Sequence, residues 1–162
     1  MFAIGLDGLD ETIARLDALP AALAAPLAAK STELSAALAD RVRNDKLSGA
    51  VLNMRSGALR DSIAADVSSD GDGVVASVGS VSDVKYAAIQ EYGGKTAAHQ
   101  ILPSKAQALA FIAGGAELFA RRVEHPGSLI PERSYLRSSL EEMSGEIASA
   151  FAEAAAEAWT RA

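Results

Sequence analysis

Two histidines, His99 and His125, are the residues of this chain best suited to bind a metal ion or to transfer a proton. Neither belongs to an HxxxH or HExxH pair, the spacings that place two metal-binding side chains on one face of a helix. The chain has no cysteine, which excludes thiolate ligands, thiol nucleophiles and disulfides. The sequence therefore predicts no metal centre and no cofactor.

Serine and glycine are frequent, but their spacing does not predict catalysis. Ser104 and Ser128 each lie near a histidine in the sequence, yet no GxSxG elbow is present to expose a nucleophile. Glycines at 71–73, 93–94 and 114–115 lack the GxGxxG and GxxxxGK spacings that place backbone amides around a phosphate, and so indicate turns. We expect a protein that is not an enzyme.

Four arginines near the start of an acidic C-terminal helix form the one local excess of positive charge: Arg121, Arg122, Arg133 and Arg137. Glu141 and Glu142 follow them and point about 100° apart on a helix, so they do not act as a pair on one bond. Two interpretations remain open for these charges. The arginines either form ion pairs within one subunit or pair with glutamates of a neighbouring copy, as ring-forming proteins require for register. All six residues are therefore candidate interface residues.

Composition limits the class of protein. A length of 162 residues and a mass of 16.7 kDa suit one domain, and 49% apolar against 22% charged residues predicts a folded chain. The net charge of −6 argues against wrapping of nucleic acid. We expect no membrane span, and acidic residues and two prolines argue against a signal peptide at 18–29. Aromatic residues are only 5%, so the core should be thin.

The N-terminal segment 1–47 is predicted to be a helical arm. Its apolar residues recur at steps of three, four and seven: Leu23, Leu27, Leu34, Leu38 and Val42. Pro20 and Pro26 predict that this helix is broken, because proline removes a helical hydrogen bond and crowds the preceding turn. Upstream, 9–16 is predicted as a short helix capped by Asp7 or Asp10, and 2–6 as a short strand.

Two hairpins are predicted in the remainder, residues 48–162. Segments 63–67 and 74–78 flank Asp-Gly pairs that favour chain reversal. Segments 106–113 and 117–123 flank a Gly-Gly pair and are predicted to be half-buried strands. Between them, 86–92 is predicted as a short helix that two glycines end.

The final 28 residues give the clearest helical pattern, with Ser134 as the predicted N-cap. The stripe on this helix comprises Leu136, Leu140, Met143, Ile147, Phe151, Ala154 and Ala158. The predicted fold is α+β: a small antiparallel sheet of two hairpins packed against long N- and C-terminal amphipathic helices.

Three stretches in a fixed order resemble one protein family. The stretch 55–63, RSGALRDSI, is similar to Thr/Ser-Gly-x-Leu-x-x-Ser-Ile, and 86–94, YAAIQEYGG, is similar to Tyr-Ala-x-x-x-Glu-x-Gly. The stretch 130–137, IPERSYLR, is similar to Pro-x-Arg-Pro-Phe-Leu, with Ser134 in place of proline and Tyr135 in place of phenylalanine. Together they resemble the tail-completion or neck proteins of long-tailed bacteriophages.

The resemblance implies a structural virion protein in the neck, made in the host cytoplasm, that completes the tail and joins it to the head. It implies a sixfold homo-oligomeric ring between the head connector, or stopper, and the tail terminator or tail tube protein. DNA would cross the lumen without specific binding, which an acidic chain favours. Tyr86, Tyr92 and Tyr135 are then expected at packing or interface positions.

Two other functions remain open. The chain could be a helical adaptor or assembly factor that binds another protein through its Ala/Leu stripes and does not stay in the virion. It could also be a small intracellular α+β enzyme or ligand-binding domain with a cleft near Tyr86, Glu91 and His99. Ring formation would favour the neck protein, and a compact monomer with a deep polar pocket would favour the enzyme.

Overall fold

The computed structural model describes residues 8–70, 73–104 and 106–161 and confirms the α+β class. The chain divides into two compact units, one formed by the residues up to Ala87 together with those from Ser134 onward, the other by Ala88–Arg133. This division does not coincide with the predicted boundary between residues 47 and 48. The N-terminal helix is part of the first unit, because it packs against the C-terminal helix and the first hairpin.

Helix α1, Leu9–Arg41, is continuous, and the predicted break was wrong. Pro20 and Pro26 lie inside it, and the alanines and leucine between them are among the strongest helix formers, which offsets part of the proline cost. Gly8, with φ of 82°, occupies the N-cap position, so a cap by Asp10, which lies in the first turn, was wrong, and Asp7 lies outside the described residues. The predicted strand 2–6 lies outside the described residues.

The helical path continues through a π-helical segment, Val42–Ala50, which includes the left-handed Gly49 at φ 137°. A short helix α2, Ala58–Ser62, then leads directly into strand β1. The predicted helical arm, which ends at residue 47, covers most of the π-helical segment, whereas α2 was missed because sheet was predicted there. Their apolar residues, Val42, Leu47 and Leu59, are buried.

The first predicted hairpin is confirmed and is longer than expected. Strands β1, Ile63–Asp70, and β2, Gly73–Ser80, pair antiparallel from Ile63 opposite Ser80 to Asp70 opposite Gly73. At the reversal, the backbone N–H of Gly73 donates to the Asp70 carboxylate over 3.0 Å. This bond explains why an aspartate ends the first strand.

Helix α4, Arg137–Arg161, closes the first unit. Ser139, Met143, Ala154 and Ala158 are buried on it. Leu140, assigned to the buried stripe from its spacing, is instead 50% exposed. The Ser134 hydroxyl accepts a bond from the backbone N–H of Ser138 over 3.2 Å, so the predicted cap residue does bind the start of this helix.

The second unit contains helix α3, Ala87–Tyr92, apart from its first residue, followed by a two-stranded ribbon. Its three antiparallel ladders are β3 (Gly94–Lys95) with β8 (Leu129–Ile130), β4 (His99–Ile101) with β7 (Val123–His125), and β5 (Leu109–Ala113) with β6 (Ala116–Ala120). The helix α3, its Gly-Gly ending and the β5–β6 hairpin were predicted. The β3–β8 and β4–β7 ladders were not predicted.

Candidate functional site: an exposed ribbon tip

The first and third motif stretches meet in the core of the first unit. Leu59 and Ile63 from the first stretch lie in the same buried cluster as Tyr135 from the third, with Ala87 of the second packed against it. The Tyr135 hydroxyl donates to the carbonyl oxygen of Ala87 over 3.2 Å. The motif residues at this point serve packing.

The second and third stretches also meet within the ribbon unit. The backbone N–H of Arg133 donates to the carbonyl oxygen of Gln90 over 2.9 Å, and Gly94 pairs with Ile130. Gly93 has φ of 68°, and a Cβ there would lie 2.7 Å from the backbone nitrogen of Glu132. A side chain would not fit, which explains the glycine at this motif position.

The tyrosines predicted at packing or interface positions have different environments. Tyr135 is 1% exposed and lies within the core of its own subunit, which agrees with the packing alternative of that prediction. Tyr86 and Tyr92 are 44% and 64% exposed and are accessible on the surface.

The tip of the ribbon is the most apolar exposed part of the second unit. Every residue from Ala110 to Phe119 is exposed, rather than half-buried as predicted. The large apolar side chains there are Phe111, Ile112, Leu118 and Phe119. Phe111 lies opposite Leu118 on one face, while Ile112 and Phe119 lie on the other. Both faces of the hairpin therefore present apolar surface.

Sequence reasoning named none of these four residues, although the signal is present. In LAFIA and AELFA apolar residues follow one another instead of alternating with polar ones. Such a run indicates a strand with two apolar faces, which is ordinarily buried on both sides. Here the strands form a two-stranded hairpin, whose faces nothing in the described chain covers.

Some of the charged interface candidates form ion pairs within their own subunit. The Nε of Arg122 lies 3.6 Å from the Glu124 carboxylate, and both side chains are exposed. Arg121 is exposed and has no ion partner among residues 8–70, 73–104 and 106–161. Arg133 is also exposed, and Arg137 opens α4. Of the candidate arginines, Arg121 is thus the one best placed to bind another molecule.

Glu142 is held by two cations of its own subunit. Its carboxylate lies 2.9 Å from the Arg41 guanidinium and 2.5 Å from the Lys46 ammonium, and these contacts tie α4 to the end of α1 and the π-helical segment. The hydrogen bond from Lys46, with the nearby positive charges, lowers the pKa of Glu142. Glu141, its neighbour, is exposed and has no ion pair in the described part of the chain.

We expect Glu142→Gln to destabilise the first unit at neutral pH. Because the pKa of Glu142 is lower in the folded than in the unfolded chain, its contribution is present above the unfolded value of about 4.3 and is lost as pH falls through the folded value. The stability difference between the wild type and the variant should therefore shrink on acidification. Urea unfolding at several pH values measures it.

The matched control for this experiment is Glu141→Gln, which removes the same charge from the next position. It should leave the pH dependence of stability close to that of the wild type. Equal effects of the two substitutions would show that the ion pairs with Arg41 and Lys46 do not stabilise the fold.

The two histidines come together across the β4–β7 ladder. Their rings stack with centroids 4.9 Å apart, and the Nδ1 of His125 accepts the backbone N–H of Gly127 over 3.1 Å. Among the described residues no group of three or more His, Cys, Asp or Glu side chains could hold a metal ion. Of the residues named for an enzyme cleft, Glu91 is buried, whereas Tyr86 and His99 are exposed.

The stretch Leu9–Ala50 is long and apolar enough, by length and composition, to cross a membrane. The buried core helix of a soluble protein and a signal sequence near the N-terminus meet the same criterion, and the qualifying window of this stretch is not buried in the structure. Leu34, Leu38 and Val42 of this stretch are buried, while every residue from Gly8 to Ala18 is exposed. The first turns of α1 therefore leave the core and form a second uncovered apolar element.

Comparison of the chain with protein-family models, with curated proteins and with solved structures finds no match.

Proposed function

We propose that this chain is a structural protein of a bacteriophage neck, which completes the tail and joins it to the head connector as a homo-oligomeric ring. In this proposal sixfold rings stack between the connector or stopper and the tail terminator or tail tube. DNA passes through the lumen without specific binding. The chain is made in the host cytoplasm and retained in the virion, and it performs no catalysis.

The observation that carries this proposal is the apolar tip of the ribbon. Ile112 and Phe119 are 79% and 68% exposed on a hairpin of only two strands. Such a hairpin is marginally stable alone and gains stability when its faces are covered. A subunit that completes its burial by joining neighbours explains this surface, whereas a self-sufficient monomer does not.

The motif geometry and charge agree with this function. The three stretches that resemble the neck family form turns and core contacts, as expected of a scaffold whose work is assembly. The net charge of −6 suits a lumen that must not bind a polyanion, because binding of DNA depends on phosphate neutralisation by lysine and arginine.

A second function is favoured by the exposed start of α1. Leu9, Ile13 and Leu16 lie on one helix face and are about half exposed, which suits an assembly factor that binds a partner helix and then leaves. This candidate differs from the first in one respect that can be measured: an assembly factor is absent from the finished particle.

Deletion of the gene from the virus that encodes it tests the function. We expect DNA-filled heads and separate tails in electron micrographs, because the joint between them is missing, with infectivity restored by the gene supplied in trans. Mass spectrometry of purified wild-type particles should find the chain in about six copies or a small multiple of that number.

Normal infectious particles from the deletion mutant would refute the joining role. Separate heads and tails together with absence of the chain from wild-type particles would instead support the assembly factor. Deletion of a gene for a known head-decorating protein provides the control, since heads and tails should still join there.

A further inference from the structure

The apolar tip of the ribbon is bordered by positive charge. Strand β6 ends at Ala120, and Arg121 and Arg122 follow immediately. Arg121 has no ion partner in the described chain, and the pair between Arg122 and Glu124 is exposed and therefore contributes little. A complementary surface would combine apolar side chains with a neighbouring acidic border.

The start of α1 has this chemistry. Leu9, Ile13 and Leu16 fall within about 60° of arc on the helix, and Asp10 and Asp17 lie together beside them, at about 80–100° from Leu9. The same stripe continues along the helix to Leu34 and Leu38, which are buried in the core. The exposed part is thus the end of a face that is built for burial.

The two units of the chain also carry net charges of opposite sign. By sequence, Ala88–Arg133 carries 4 acidic and 5 basic residues, a net charge of +1, and the remainder carries 17 acidic and 10 basic residues, a net charge of −7. Identical copies repel through their acidic parts and attract when the ribbon of one meets the acidic unit of another.

We propose that the ribbon tip of one copy packs on the exposed start of α1 of a second copy, with Arg121 facing Asp10 and Asp17. The inference rests on the ring of the proposed function and assigns the surface that forms it. The two surfaces differ, so the contact we infer is head-to-tail, and its repetition generates a ring when the rotation between copies closes; the reciprocal exchange of the same two surfaces would give a two-fold dimer.

Cross-linking tests the contact directly, since the chain has no cysteine of its own. Two variants, Thr12→Cys and Ala110→Cys, are produced together and treated with a short bis-maleimide. A cross-linked dimer of the two variants is expected, because each chain has a single thiol and the link must join different copies. Thr12→Cys with Ser69→Cys is the control, as Ser69 is exposed at the other hairpin.

A chain that carries both Thr12→Cys and Ala110→Cys should give a ladder of cross-linked multimers, whose last band gives the ring size. A ladder that stops at the dimer would overturn the head-to-tail arrangement. Equal cross-linking in the Ser69→Cys control would overturn the assignment of the surface.

Reversal of charge on both sides of the contact tests whether Arg121 pairs with Asp10 and Asp17. Arg121→Glu should weaken association at least about tenfold at low salt, and adding Asp10→Lys and Asp17→Lys in the same chain should restore it. Far-ultraviolet circular dichroism verifies that the variants remain folded. Failure of the exchange to restore association, with all variants folded, would contradict the pairing of Arg121 with the two aspartates.

Native mass spectrometry of the unmodified chain separates the two hypotheses. Rings without a link between positions 12 and 110 would refute this surface and leave the proposed ring in place. A monomer at all concentrations would refute both. Monomers that instead bind phospholipid vesicles through the start of α1, a property that Leu16→Asp abolishes, would assign this surface to a membrane and overturn the inference.

Discussion

Replacement of Tyr135 by Ala should lower the free energy of unfolding of the first unit by about 3–5 kcal/mol, the cost typical of an aromatic residue removed from a packed core. Tyr135 is 1% exposed and lies in the buried cluster that contains Leu59, Ile63 and Met143. A core built mainly from small side chains has few large ones to fill the cavity. Urea unfolding followed by circular dichroism measures the loss.

Tyr135→Phe is the matched control, because it keeps the ring and removes only the hydroxyl. The bond from that hydroxyl to the carbonyl oxygen of Ala87 is 3.2 Å long, and its removal should cost about 1 kcal/mol. If Tyr135→Ala instead left stability unchanged and dissociated an oligomer, the side chain would belong to an interface after all.

Replacement of Gly127 by Ala should separate the two strands of the ribbon near the β3–β8 ladder. We expect it to destabilise the ribbon by about 2–5 kcal/mol. Gly127 has φ of 85°, and a Cβ there would lie 2.1 Å from the carbonyl oxygen of Thr96. The obstacle is backbone, so the two strands must separate to accept it. Hydrogen exchange at the amides of Thr96 and Ser128, which bond across the strands over 2.9 and 2.7 Å, should accelerate.

Gly115→Ala isolates the backbone strain from the clash. Gly115 has nearly the same φ, 82°, but a Cβ there would meet nothing within 4 Å. Its substitution should cost only about 1–2 kcal/mol at the tip and leave exchange at Thr96 unchanged. Similar exchange rates at Thr96 in the two variants would show that close approach of the strands does not require glycine at 127.

The ribbon explains why the motif stretches are far apart in sequence. The second stretch leads into the ribbon and the third leads out of it. The 35 residues between Gly94 and Ile130 therefore belong to the ribbon, whose two ends pair as strands β3 and β8. The motif residues lie at the base of the ribbon. Its tip is free to carry apolar residues, and we infer that these serve assembly.

Features that depend on neighbouring residues could be predicted from the amino-acid sequence. The Asp-Gly hairpin of β1 and β2, the glycine stop after α3, the Gly-Gly turn at 114–115 and the amphipathic α4 were all predicted, since each follows from local backbone preference or from a period of two or 3.6 residues. The α+β class followed from the same patterns.

The remaining features depend on contacts between distant parts of the chain. Helix α1 runs unbroken across Pro20 and Pro26, and the ladders of two and three residues at the base of the ribbon are too short to have a period. The partners of Glu142, the burial of Tyr135 and the exposure of the ribbon tip depend on residues distant in the chain. Local pattern shows that a face is apolar, but what covers the face is set by long-range contacts.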